Sequence, residues 1–321
     1  MLGFALLSIF IGCFVIPVIY IITKWISFLR IFQEPLGSNA DGGIESELDQ
    51  NALLRSHGYE IGDQIGQGTY ADVKKAYSIN NKKEVAIKIV NKRESGTGKN
   101  DRFLKREIEI LKWLNHKNVI RVYDLIDGAH KFFIVMELAP KGDLLSLLQQ
   151  CCKLGEDEAK VMFKSIVDGV LHCHRKGVTH RDLKLENILL SDDHQPIVTD
   201  FGFARYIGKI ESQRARSRTF CGSYAYVAPE ILQGIPYDGM ASDVWSLGVV
   251  LYTMVCGRFP FDDSDPKQLL KETTSGKLEY PITAFCLSVQ IKDLISKMLT
   301  ANVRERITLN EAFDHPWLKN V

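Results

Sequence analysis

Thr179-His180-Arg181-Asp182-Leu183-Lys184-Leu185-Glu186-Asn187-Ile188-Leu189-Leu190 decides how the rest of the chain is read. Asp182, Lys184 and Asn187 fall within six residues, after a helical pattern over Ala159–His174 and before a short apolar strand at Ile188–Leu190. A loop at that junction aims an acid, a cation and an amide at one point. Phosphoryl transfer needs such a set: a carboxylate to orient a hydroxyl, a positive charge on the moving phosphate, and an oxygen ligand for Mg²⁺. The alternative is a solvated polar loop, and the neighbouring sequence decides between the two.

Toward the C-terminus, Ile197-Val198-Thr199-Asp200-Phe201-Gly202 is a short strand that ends in an acid and a glycine. Toward the N-terminus, Tyr59–Val90 alternates like a sheet through Ile61, Ile65, Val73, Tyr77 and Val85-Ala86-Ile87-Lys88-Ile89-Val90, with Asn80-Asn81 as a turn. Within it lies Ile65-Gly66-Gln67-Gly68-Thr69-Tyr70-Ala71-Asp72-Val73. A strand follows this loop instead of a helix, which argues against a dinucleotide fingerprint or a Walker loop. Its glycines let backbone approach phosphates with no Cβ in the way. Lys88 sits on an otherwise apolar strand, where a buried lysine is costly unless paired. A helical pattern over Arg102–Asn115 puts Glu107 on the same side as Leu104, Ile108, Leu111 and Leu114. A Lys88–Glu107 pair accounts for both charges; otherwise both snorkel to solvent.

With these motifs in order, Tyr59–Leu318 resembles a eukaryotic protein kinase. The finer likeness is to the calcium/calmodulin-kinase group and, within it, to the testis-specific serine/threonine kinases. It is carried by Gly68-Thr69-Tyr70-Ala71-Asp72-Val73-Lys74, Met136-Glu137-Leu138, Gly142-Asp143-Leu144-Leu145, Thr219-Phe220-Cys221-Gly222-Ser223 and Ile235-Pro236-Tyr237 through Val255-Cys256-Gly257. An AMP-activated-kinase relative is the alternative subgroup.

The resemblance implies an α+β, two-lobed protein kinase fold, with a small β-rich N-lobe and a larger helical C-lobe. It implies ATP and Mg²⁺ as cofactors and protein serine or threonine hydroxyls as substrates. Asp182 is then the hydroxyl-orienting base, Lys184 the charge on the transferred phosphate, and Asn187 and Asp200 the metal ligands. Ile65, Gly66, Gln67, Gly68, Thr69, Tyr70, Ala71, Asp72 and Val73 cover the nucleotide, with Ala71 where the family has its third glycine. Lys88 and Glu107 hold the phosphates. Val73, Ala86 and Leu189 sandwich the adenine beside Met136, and the backbone of Glu137 and Ala139 hydrogen-bonds it.

Lys184 and Ser223 mark the serine/threonine class, Ser223 touching the base and the lysine, and Phe203 goes with serine over threonine. Asp200–Glu230 becomes an activation segment ending in Ala228-Pro229-Glu230. Arg181 receives a phosphate on Thr219, placed by an upstream kinase or by autophosphorylation. Asp143 and Glu186 stand where related kinases bind basic substrate residues, so the resemblance implies upstream arginine or lysine. Asp243 caps its helix, braces the catalytic-loop backbone, or does both, and Arg306 matches the arginine that pairs with Glu230. A role in sperm formation or function follows from the family. A pseudokinase scaffold is the rival class; it predicts loss of Lys88, Asp182, Asn187 or Asp200, and all four are present. A small-molecule kinase is disfavoured by the complete activation segment.

The 321 residues carry a formal net charge of +1. That length suits roughly two lobes around a large core, and the near-neutral balance argues against nucleic acid as a partner. Seven cysteines, Cys13, Cys151, Cys152, Cys173, Cys221, Cys256 and Cys286, include no Cys-x-x-Cys. They suit reduced thiols in the cytosol better than a disulfide framework. His172-Cys173-His174 crowds one helix end without distant partners and is not read as a metal site.

Phe4–Thr23 is apolar almost throughout, and Met1–Thr23 has no charged side chain. Twenty residues at about 1.5 Å rise span about 30 Å, the thickness of a bilayer core. Lys24, Trp25 and Arg30 follow on one flank only, which puts the remainder in the cytosol. Residues 1–31 are therefore read as an N-terminal transmembrane helix and flank of a single-pass membrane protein with a cytoplasmic kinase domain. A processed, signal-like segment and spurious upstream translation are the alternatives, and the protein is then cytoplasmic. Residues 32–58, rich in glycine and acids, read as a flexible acidic linker. The kinase domain spans 59–318, with the N-lobe over 59–138 and the C-lobe over 139–318.

Overall fold

The computed structural model describes residues 47–67, 71–92, 110–111, 113–208, 216–217 and 222–319. The expected membrane anchor, the first part of the spacer, Gly68, Thr69, Tyr70, Glu107 and Thr219 lie outside these residues.

The expected flexible linker changes character before its end at 58. Glu47–Ser56 is a helix, α1. Leu54 explains why: it is 0 % exposed and packs with Tyr59, Val85, Ile87 and Phe133 in a core of its own. Lys131 Nζ adds a bond to Gln50 Oε1 at 3.2 Å. An acidic composition forecast a solvated coil, but two leucines at the end of the stretch meet an apolar sheet face that nothing else described covers.

That sheet comprises β1 (Tyr59–Gln67), β2 (Ala71–Ser78), β3 (Lys83–Asn91), β4 (Val122–Asp127) and β5 (Lys131–Glu137). It is antiparallel, in the order β1-β2-β3-β5-β4. Side chains alternate between faces along a strand. On β3, Val85, Ile87 and Ile89 therefore join Leu54 on the outer face, while Ala86 joins Ile134 and Met136 in the main core. Lys88 shares the parity of Ala86, so the alternation turns it toward the inner face.

The helical lobe contains α2 (Leu144–Cys151), α3 (Glu156–Arg175), α4 (Pro229–Leu232), α5 (Gly239–Cys256), α6 (Pro266–Ser275), α7 (Val289–Met298), α8 (Leu309–Phe313) and α9 (Pro316–Lys319). Short strand pairs β6 (Val178–Thr179) with β9 (Arg205–Tyr206), and β7 (Ile188–Leu190) with β8 (Pro196–Val198), support its upper surface. The helix expected over Ala159–His174 is α3, one turn longer at its start, where Glu156, Asp157 and Glu158 favour the positive end of the helix dipole.

α5 is buried nearly all round. Among the described residues it is the one helix long and apolar enough to cross a bilayer, and it is core. Asp238 caps it by accepting from Met240 N–H at 2.9 Å. Asp243, for which a capping role was open, lies inside the helix. The approach of α5 to α7 is set by Gly248, where a Cβ would come within 2.9 Å of Met298 Cβ. Arg306 closes the lobe on Glu230 with parallel bonds of 2.8 and 2.9 Å, both partners buried. Glu156 ties three elements together by accepting from Ser288 N–H, Ser288 Oγ–H and Trp317 Nε1–H.

Candidate active site

The loop between β6 and β7 departs from ordinary backbone at Arg181, whose φ is 68°. A non-glycine residue in that region is strained unless its surroundings hold it. The holding group is Asp243. Its buried carboxylate accepts from His180 N–H at 2.9 Å, Arg181 N–H at 2.8 Å and His174 Nε2–H at 2.9 Å. His180 adds a second brace. Its Nε2–H donates to the Thr199 carbonyl at 2.8 Å, which leaves Nδ1 to accept from Asp182 N–H at 3.3 Å. Its ring packs on Phe201 with centroids 4.8 Å apart.

This scaffold presents Asp182, buried to its tip. Asn187 Nδ2 donates to the Asp182 carbonyl at 2.8 Å and to Oδ2 at 3.2 Å. Lys184 Nζ lies 3.1 Å from the same Oδ2 and donates to Ser223 Oγ at 3.3 Å. The acid, the cation, the amide and the serine expected to converge are therefore in contact. Asp200 joins them through strand register: Ile188 pairs with Val198, and Thr199 N–H continues the ladder to the Asn187 carbonyl at 2.9 Å. Asp200 itself adopts a left-handed conformation.

Lys88 Nζ donates to Asp200 Oδ1 at 3.1 Å. Burial pushes the Asp200 carboxyl upward, but Lys88, with His180 and Lys184 behind it, outweighs this and the net shift is downward. The group is thus an anion at neutral pH. The expected Lys88–Glu107 pair falls outside the described residues.

The residues expected to face a nucleotide fall on adjoining strands. Val73 pairs with Lys88 on β2 and β3, and Ala86 pairs with Met136 on β3 and β5. Leu189 bridges Asp143. Glu137 N–H is committed to the Arg121 carbonyl at 2.9 Å, leaving its carbonyl for a base; Ala139 follows beyond the strand. Gly66 has no positive φ, and a Cβ there would make only ordinary contact with Val73 at 3.5 Å. Neither backbone nor packing demands that glycine, which suits a loop kept bare for a ligand. Ile65 is exposed, and Gln67, Ala71 and Asp72 continue the turn into β2.

The donor set fits a hard divalent cation. Asp200 is ionised, and with Nδ2 of Asn187 spent on Asp182, its Oδ1 is the atom left for a metal.

Further residues border the site. Tyr226 OH accepts from Leu185 N–H and donates to Glu186 Oε2, both at 3.4 Å. The hydroxyl's pKa is raised well above its ordinary value by burial, with Glu186 adding to the effect. Desolvation in the cleft, with Asp182 and Asp143 nearby, raises the Glu186 carboxyl as well. Asp143, expected at the substrate, also works as a helix cap: its Oδ1 accepts from Ser146 N–H at 2.7 Å. Arg181 Nη1 and Arg205 Nη1 both reach the buried Ser217 hydroxyl, at 3.5 and 3.2 Å. Tyr226 carries no sequence signal for its role, and His174 enters the sequence only as one member of the dismissed His172-Cys173-His174 cluster.

A small sheet over a helical lobe, an acid–amide–lysine loop and a second acid at a strand end define a protein kinase. The family model described as Protein kinase domain matches residues 59–318. The chain is 43 % identical over 274 residues to Testis-specific serine/threonine-protein kinase 2 of Mus musculus, covering 85 % of this chain and 76 % of that one. It is 44 % identical over 267 residues to Testis-specific serine/threonine-protein kinase 3 of Homo sapiens, covering 83 % and 98 %. To human NUAK family SNF1-like kinase 1 it is 38 % identical over 262 residues, covering 82 % of this chain and 38 % of the relative. The chain is a serine/threonine protein kinase and belongs to the testis-specific serine/threonine kinase family.

Proposed function

We propose that this kinase transfers the γ-phosphoryl group of ATP to serine, and secondarily threonine, hydroxyls of protein substrates with arginine or lysine upstream. The observation that carries the reading is the Asp182 carboxylate held between Asn187 and Lys184. Asp182 accepts the hydroxyl's hydrogen and aims its oxygen. Lys184, anchored by Ser223, meets the charge on the moving phosphoryl group. Lys88 orients the nucleotide phosphates, and the bare Gly66 backbone closes over them. Asn187 and Asp200 would hold Mg²⁺, which when bound neutralises phosphate charge. Glu186 and Asp143 offer carboxylates to basic side chains, for which the forked guanidinium is best matched.

Phosphate on Thr219 raises activity in this reading, because it meets Arg181 and Arg205, which converge on Ser217. A Thr219→Ala variant then loses at least about tenfold in rate, since one charge-assisted bond is worth roughly 1.5–3 kcal/mol. The family resemblance supports a role in sperm formation or function. The uncharged run Phe4–Thr23 supports single-pass membrane attachment with the kinase in the cytosol; alkaline carbonate extraction of the full-length protein into the supernatant would refute it.

The central test is transfer from radiolabelled ATP into a serine/threonine peptide library. Wild type labels serine peptides with upstream bases and Asp182→Asn does not. Equal labelling by the two proteins removes Asp182 from the mechanism, and absence of transfer by both favours a scaffold.

A further inference from the structure

Among the described residues, three large apolar side chains stand apart from all others in exposure: Ile282 at 84 %, Phe285 at 73 % and Val289 at 83 %. The next highest, Trp113, reaches 55 %. The three fall within eight residues, from the 3₁₀ turn Ile282–Ala284 to the first residue of α7. Side chains so bare have few neighbours, so they form pegs and not the walls of a groove. A protein pocket that buries an anchor needs a rim on one side or the other, and this surface supplies none.

Three cations lie against the segment that carries the pegs. Lys153 Nζ donates to the Thr283 carbonyl at 2.6 Å, and Arg258 Nη2 to the Glu279 carbonyl at 3.3 Å. Lys292 Nζ lies 5.5 Å from the Tyr280 ring centroid. Two nearby acids are engaged: Glu156 with Ser288 and Trp317, and Asp293 with Lys297 and His315. Glu279, Asp157 and Glu158 are exposed.

We propose that this corner contacts an anionic phospholipid bilayer, with Ile282, Phe285 and Val289 entering the interfacial layer and Lys153, Arg258 and Lys292 at headgroup level. Apolar tips beside long cationic side chains match the depth profile of such an interface. The site is remote from the chemistry. Asp243 near the start of α5 braces the catalytic loop, whereas Cys256 ends α5 two residues before Arg258. Thirteen residues at helical rise separate them by about 20 Å. The proposal does not depend on the apolar N-terminal segment, and the two are tested apart.

The protein for the test is Glu45–Val321, a compact unit of its own; a human relative consists of little more than this unit. Vesicles of phosphatidylserine with phosphatidylcholine are compared with phosphatidylcholine alone, by co-sedimentation and by the rate of maleimide alkylation at the exposed Cys286. Wild type is expected to sediment with the anionic vesicles and to show slowed alkylation of Cys286. Combined Ile282→Ser, Phe285→Ser and Val289→Ser substitutions are expected to weaken binding by at least roughly tenfold and leave soluble-peptide turnover unchanged. Equal vesicle binding by the variant, or undiminished Cys286 reactivity on vesicles, overturns the proposal. Concentration-dependent protection of Cys286 without lipid, lost in the variant, assigns the surface to a second copy and overturns it equally.

Discussion

Replacing Asp243 with alanine tests whether the catalytic loop is held from below. The change leaves buried His180 N–H and Arg181 N–H, and His174 Nε2–H, without their acceptor. A buried donor left unsatisfied costs about 1–3 kcal/mol, so the two backbone groups alone give about 2–6 kcal/mol. The left-handed Arg181 at φ 68° then loses the bond that over-determines it, and relaxation there carries Asp182 with it. In a domain of this size each kcal/mol lowers Tm by about 2–4 °C, so a fall of at least about 4 °C is expected. At temperatures where the variant remains folded, kcat falls more than KM for peptide rises, because the defect lies in aiming Asp182. Asp243→Asn is intermediate: one oxygen still accepts, while its NH₂ opposes an N–H donor. Scanning fluorimetry and steady-state kinetics on the three proteins decide the matter. An alanine variant with Tm within about 2 °C and kcat within about twofold of wild type would refute the reasoning.

Leu54→Ala opens a cavity between α1 and the sheet, and a loss of about 2–5 kcal/mol is expected in urea denaturation; an unchanged midpoint would mean that α1 contributes nothing to the lobe. Lys88→Met keeps most of the buried bulk and abolishes transfer with circular dichroism unchanged; retention of more than roughly a few per cent of activity contradicts its role. Glu156 supplies the pH prediction. Desolvation raises its carboxyl, but bonds from Ser288 and Trp317 prevail and the folded pKa lies below 4.5. Its stabilising effect is therefore complete above the unfolded pKa and is lost as pH falls through the folded one. Glu156→Gln is expected to flatten the acid limb of Tm against pH below about 4.5 while lowering Tm at neutral pH, and an unaltered acid limb would exclude this linkage.

The order of motifs along the chain carried the resemblance from which the fold class and the expected roles follow, and those motifs are short-range signals. Asp182, Lys184 and Asn187 are neighbours in the chain, and a loop of six residues leaves them little choice but to converge. The structure added to them by strand geometry: alternation turns Lys88 inward, and register between two three-residue strands brings Asp200 alongside Asn187.

What only the tertiary structure decided concerns partners distant in sequence. The acidic stretch before Tyr59 reads as a coil by composition, yet α1 forms because Leu54 finds an apolar sheet face, information that lies in residues up to Val135. Asp243 reads equally as a helix cap or a brace until the true start of α5 at Gly239 is seen. His174 and Tyr226 are buried, and burial makes their polar atoms seek Asp243 and Glu186. The exposed trio at Ile282, Phe285 and Val289 was equally invisible, since an apolar residue in sequence carries no mark of which side of the surface it will occupy.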